Sequence, residues 1–235
     1  MLIKIEHPTF DFVIPSTQSK IKMRPYLVKE EKILLIAKES GEYTDILNAI
    51  KQIINNCIVT DIDINRLAIF DLEYLFAQLR GISVDNSIKL SLVDEEDGEN
   101  YDFEFDVSEI KVDLSNRPNS KIMINKTTGL TLIYPSASFY TDEDYVNEKD
   151  TNKKIQIFLT HCIDTVFTED DLFKIDDTNR NELFSFLDDL DLKTYQKLLN
   201  FIDDIPSIKY VLNYTNKKGN AISIALTKLS DFFIL

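Results

Sequence analysis

Residues 86–109 read NSIKLSLVDEEDGENYDFEFDVSE, and the fold class turns on how they are read. Ile88, Leu90 and Leu92 alternate with polar residues, and so do Phe103, Phe105 and Val107 beyond the acidic turn. A side-chain period of two belongs to a strand with one buried face. Asp97-Gly98-Glu99-Asn100 between the two runs reads as a hairpin turn. The alternation resumes at Ile122 and Ile124, then at Leu130, Leu132 and Tyr134, and stops at Pro135. The expectation is a central antiparallel β-meander.

Working outward, the first 27 residues look extended. Phe10, Phe12 and Ile14 alternate with Asp11 and Val13, Pro15-Ser16-Thr17 turns, and Ile21 and Met23 resume the pattern. Helical periodicity begins at about Val28, with Ile33, Leu34, Ile36 and Ala37 as its apolar positions. A second helix over roughly 43–57 carries Ile46, Leu47, Ile50, Ile53, Ile54 and Cys57 at three- and four-residue spacing. A third, over roughly 65–80, carries Ala68, Leu72, Leu75, Phe76 and Leu79, with Asn65 or Asp63 as its cap. Gly41 and Gly81 are expected to close helices in the left-handed conformation. Beyond the meander, Ile155, Phe158, Leu159, Cys162, Ile163 and Val166 form one helical stripe. Leu183 to Leu190 and Leu192 to Ile205 form two more, and a last hairpin covers about 208–226. Segregated runs of strands and helices predict an α+β fold: N-terminal hairpin, helical bundle, central meander, C-terminal helices and final hairpin. The polar stretch Ser136 to Lys153 suggests a division into 1–135 and 136–235, with a single domain as the alternative.

The 235 residues hold 26 Lys plus Arg against 40 Asp plus Glu, a formal charge of −14. That balance disfavours nucleic acid, whose phosphates need a cationic surface, and equally disfavours an anionic membrane. Two cysteines, Cys57 and Cys162, form no disulfide framework, and the opening MLIKIEHPTFDF interrupts any leader with charges and a proline. A cytosolic protein is expected. The five glycines are scattered, so neither a P-loop nor a dinucleotide-binding turn is available.

No reactive constellation stands out. His161 sits one residue off its helical stripe and reads as a flanking surface histidine. Cys57 and Cys162 fall on apolar faces and read as small core hydrophobes. Asp61-Ile62-Asp63-Ile64-Asn65 opens like a calcium loop, but Arg66 stands in the glycine position and Leu72 in that of the bidentate glutamate. The stretch 94–109 carries nine carboxylates and no basic residue. Its plain reading is a solvated hairpin; its sharper reading is a docking surface for a basic partner. The counterweight is the N-terminal run of Lys20, Lys22, Arg24, Lys29 and Lys32. Lys20, Lys22, Arg24, Glu95, Glu96 and Asp97 are therefore the candidate partner-binding residues, either across an interface or by pairing within the chain. No catalytic residue, cofactor, metal site or small-molecule substrate is expected.

Three segments together carry a family resemblance. The first is Phe12-Val13-Ile14-Pro15-Ser16-Thr17 with Met23 to Ser40. The second is Ile46 to Cys57 with Phe70 to Val84. The third is Phe186 to Leu190, Phe201-Ile202-Asp203-Asp204-Ile205-Pro206 and Leu229-Ser230-Asp231-Phe232-Phe233. In order and spacing they resemble the T4-type bacteriophage baseplate proteins, the hub subunits and hub assembly factors of contractile tails. The resemblance implies a non-enzymatic protein that contacts other tail and hub proteins, in the host cytoplasm during assembly or in the virion baseplate. A cell-wall hydrolase using carboxylates and an unrelated cytoplasmic binding module are the competing readings. Members of the family carry cysteine pairs in the middle sheet and last hairpin, in the pattern of a small zinc site. Here those stretches, Ser91 to Asp97 and Asn213 to Gly219, hold no cysteine. The implied zinc is then absent, and hydrophobic packing is expected to hold the hairpins.

Overall fold

The computed structural model describes residues 5–115 and 117–233. Residues 1–4, which begin the stretch read above for a leader, lie outside the described residues. In chain order the elements begin with β1 (Phe10–Val13), β2 (Lys20–Met23), α1 (Val28–Ser40), α2 (Tyr43–Cys57) and α3 (Ile69–Ser83). There follow β3 (Ser87–Val93), β4 (Asn100–Asp106), β5 (Lys111–Val112), β6 (Lys121–Met123) and β7 (Gly129–Leu132). Then come α4 (Glu143–Asn147), α5 (Thr151–Cys162), β8 (Ile163–Phe167), β9 (Leu172–Lys174), α6 (Glu182–Asp188) and α7 (Leu192–Asp203). Last are β10 (Ile208–Thr215), β11 (Ala221–Leu226) and α8 (Leu229–Phe232). Helices mix with small antiparallel sheets, so the fold is α+β.

Two compact units divide the chain: Met1–Asp113 with Ser207–Leu235, and Leu114–Pro206. The second is inserted in the first, which the chain leaves and re-enters at adjacent points, where β5 pairs with β10 and the Asp113 amide donates to the Ser207 carbonyl at 3.3 Å. The division expected near residue 135 falls inside the second unit, between β7 and β8, which are hydrogen-bonded neighbours.

In the first unit, α3 is the centre. Phe70, Leu72, Leu75, Phe76, Ala77 and Leu79 are all buried, and a helix apolar on most sides belongs inside a core. It starts at Ile69, later than expected. Asp63 instead caps a short 3-10 turn at Ile64–Arg66, accepting from the Asn65 amide at 3.0 Å. The helix start is held by Asp71, which accepts from the Ala68 amide (3.3 Å) and from both the amide and hydroxyl of Ser16 (2.8 and 2.6 Å). That buried carboxylate ties the turn between β1 and β2 to the core. Gly41 ends α1 in the left-handed conformation, at φ 71°. Gly81 does not cap α3 but lies within it, where an added Cβ would stand 2.9 Å from Asn86 Oδ1 and 3.3 Å from Val107 Cβ. Close approach, and not φ, is what requires glycine there.

The strands of the expected meander divide between the two units. β3 and β4 form a hairpin of their own in the first, while β6 and β7 belong to the sheet β6-β7-β8-β9 of the second. The stripe expected to run helical through Val166 breaks at Cys162. Ile163 and Val166 lie in β8, whose Ile163-Asp164-Thr165-Val166-Phe167 is rich in β-branched residues and pairs with β7. The core of this unit gathers Ile122, Leu130, Leu132, Leu159, Ile163, Leu183, Leu187, Leu198 and Phe201.

Candidate protein-contact surface

Within the first unit the β3–β4 hairpin packs on β10 through aromatic side chains. Phe105 stacks on Tyr210 with centroids 3.9 Å apart, and Tyr214 meets Phe103 at 5.4 Å and Tyr101 at 4.6 Å. Such pairs contribute about 0.5–1.5 kcal/mol each beyond their buried area. The residues follow from strand period: Tyr101, Phe103 and Phe105 share one face of β4, and Tyr210 and Tyr214 one face of β10.

Beyond the rings the two hairpin tips are joined by a polar clasp. Asp94 is buried; one oxygen accepts the amides of Glu96 (2.7 Å) and Asp97 (3.1 Å), the other the Tyr214 hydroxyl (2.7 Å). The Tyr214 bond and the two amides hold the Asp94 carboxyl below its usual range, while the same bond and burial push the Tyr214 phenol up to about 12. Glu96 accepts from the side-chain amides of Asn216 and Asn220, both at 2.8 Å, and its carbonyl accepts from Lys218. Asp97 accepts from the Tyr101 hydroxyl (2.8 Å) and the Lys217 amide (2.9 Å), and Lys217 pairs with Glu99 at 2.7 Å. Hydrophobic packing thus does not hold these hairpins alone, as had been expected; charge-assisted hydrogen bonds close the tips.

Each candidate residue named from sequence has a place. Lys20 is exposed on β2, and Lys22 is exposed beside Asp11 at 3.3 Å. Arg24 turns inward. Its guanidinium meets the fully buried Glu30 at 3.0 Å and donates to the carbonyls of Asn56 (2.9 Å) and Pro25 (2.8 Å). Burial alone would raise the Glu30 carboxyl, but Arg24 and the Leu27 amide outweigh it and hold the acid low. Glu96 and Asp97 belong to the clasp, and Glu95 is exposed at its tip. The acidic turn therefore pairs with Lys217 and Lys218, which sequence reading left unassigned. Their cationic tip, opposite an acidic one on a strand with matching aromatics, was the available signal. Five carboxylates from Asp94 to Glu99 face two lysines, so the clasp stays acidic.

Reactive groups are sequestered. Cys57 and Cys162 are buried and free, and burial pushes both thiols up, Cys57 to about 11. In the second unit His161 is half-buried, not a surface residue. Its Nδ1 lies 3.0 Å from the Ile157 carbonyl and its ring 4.2 Å from that of Phe139, and burial lowers its basicity. It borders a cleft of about 450 Å³ with Lys153, Arg180 and the carboxylates of Asp142, Asp144, Glu148 and Asp177. Arg180 is already engaged there by the Thr160 carbonyl (2.7 Å) and Asp177 (3.6 Å). Among the described residues no three His, Cys, Asp or Glu side chains are grouped to hold a metal ion, and no helix is long and apolar enough to cross a membrane.

No curated protein and no solved structure matches the chain. A family model described as "T4 bacteriophage base plate protein" matches residues 7–234, which takes in nearly all of both compact units. Membership implies contact with other baseplate and tail proteins, which suits a molecule whose surface offers charged turns and whose thiols lie inside. The chain belongs to the T4 bacteriophage baseplate protein family.

Proposed function

We propose that this baseplate protein acts in hub assembly, as a hub subunit or an assembly factor, through protein–protein contact and without catalysis. The observation that carries the reading is a family match spanning both units. The chemistry of the chain supports it. Raised, buried thiols are poor nucleophiles, and the histidine of the cleft is fixed by a backbone carbonyl. Exposed charge is plentiful: Lys20 on one hairpin, Lys22 beside Asp11 on the same one and Glu95 on another stand in solvent, where such groups set association rate and its salt dependence. The protein then works in the host cytoplasm while tails are built, and either remains in the baseplate or leaves it.

Mass spectrometry of purified virions separates the two roles: a fixed copy number marks a hub subunit, and absence an assembly factor. Incubation of the pure protein with peptidoglycan tests the non-enzymatic half. No release of soluble fragments is expected. Cleavage that a single carboxylate-to-amide change abolishes would overturn the proposal in favour of a cell-wall hydrolase.

A further inference from the structure

Helix α1 carries more aliphatic surface than its one packed face can bury. Ile33-Leu34-Leu35-Ile36-Ala37 is the longest aliphatic run in the chain, yet only Leu34 and Ala37 are buried. Leu35 is 51% exposed, Ile36 69% and Val28 73%. At about 100° per residue, Val28, Lys32, Leu35, Ile36 and Glu39 fall within about 100° of arc, directly opposite Glu30, Leu34 and Ala37. The outward face is therefore an apolar strip with a lysine toward one end and a glutamate toward the other.

That arrangement is self-complementary. If a second α1 lies antiparallel on the first, with a two-fold axis passing midway between Leu35 and Ile36, the two copies of Leu35 meet along one edge of the strip and the two copies of Ile36 along the other. The same register sets each Lys32 opposite Glu39 of the other copy, twice, and brings each Val28 to the far helix end. A two-fold interface requires this reciprocity, residue for residue, and antiparallel helices also align their dipoles favourably. We propose that α1 is the contact of a homodimer, its occupant a second copy of this chain. A 13-residue helix is about 20 Å long. Its face covers less than the roughly 800 Å² per partner of a standard interface, so the dimer is weak.

Sedimentation equilibrium of the full chain over a concentration series tests this. The weight-average mass should climb from one chain to two. Ile36→Glu should leave the unfolding midpoint in place and weaken the dimer by about tenfold or more, equivalent to about 1.4 kcal/mol. Lys32→Glu and Glu39→Lys should each weaken it, because each sets like charges opposite one another, while the double exchange should restore it. Residues seven apart on one helix stand about 10 Å from each other, so rescue reads the contact between copies. A chain monomeric throughout the series overturns the proposal. So does a dimer indifferent to Ile36→Glu, or a double exchange no better than either single change.

Discussion

Helices α1 and α3 both carry aliphatic residues along their length and differ in how far they bury them. Both open with an acidic residue at the third position that accepts the amide just before the helix, Glu30 from Leu27 at 2.9 Å and Asp71 from Ala68 at 3.3 Å. Yet α3 is enclosed by α2, β5 and β10 and buries Leu72, Leu75, Ala77 and Leu79, whereas α1 packs chiefly on α2 and leaves Leu35 and Ile36 in solvent. Neighbours and residue types both set the difference: six of the 13 residues of α1 are apolar, against nine of 15, three of them aromatic, in α3. The aliphatic surface that α1 leaves exposed is the face proposed above to meet a second copy.

The sharpest way to break the comparison is to cut the core side. Leu75→Ala on α3 should cost about 2–5 kcal/mol, the range for truncating a fully buried leucine, read by chemical denaturation. A loss under about 0.5 kcal/mol would mean that α3 is no more a core element than α1.

Next in size is Glu73, a half-buried acid on α3. Desolvation and the nearby Asp231 carboxylate push Glu73 up to about 7, with Lys228 pulling the other way. Below about 4.5 the group is protonated in both folded and unfolded chains. Between about 4.5 and 7 only the folded chain keeps the proton, so stability falls as pH rises through that window and then levels off. The full drop is on the order of 3 kcal/mol. Glu73→Gln should remove that slope and stabilise the protein at pH 8, as thermal unfolding across the pH range would show.

Smaller again is the clasp. Asn216 is buried and donates to Glu96, so Asn216→Ala leaves a carboxylate short of a donor and should cost about 1–3 kcal/mol. The smallest change belongs to α1. Ile36→Ser should alter monomer stability by less than about 0.5 kcal/mol, because its side chain is already in water. A large loss there would place the outward face of α1 in the core after all.

The elements themselves were legible because period is a local property. The spans of α1 and α2, the terminal hairpins and the alternation of β3 and β4 all follow from spacing. Partnership is not local. Nothing in Leu130 or Val166 announces that β7 pairs with β8 after the intervening helices α4 and α5, so the meander came apart into two units. Gly81 looked like a cap because it follows an apolar stripe, but the side chains of Asn86 and Val107 crowd it from outside the helix. Of the candidate contact residues, Lys20, Lys22 and Glu95 are exposed as a charge count implies, while Arg24 reaches the Asn56 carbonyl and Glu96 and Asp97 bond to the tip of the β10–β11 hairpin, partners distant in sequence. The clasp was hidden for the same reason: its halves lie 120 residues apart.

Hub assembly is the role proposed for this baseplate protein. Electron microscopy of cells infected with a phage lacking this chain tests it most directly, with the wild-type protein supplied in trans as control. Heads alongside an absence of complete hubs and baseplates are expected, restored by the wild-type protein. Complete baseplates formed without the chain would contradict it.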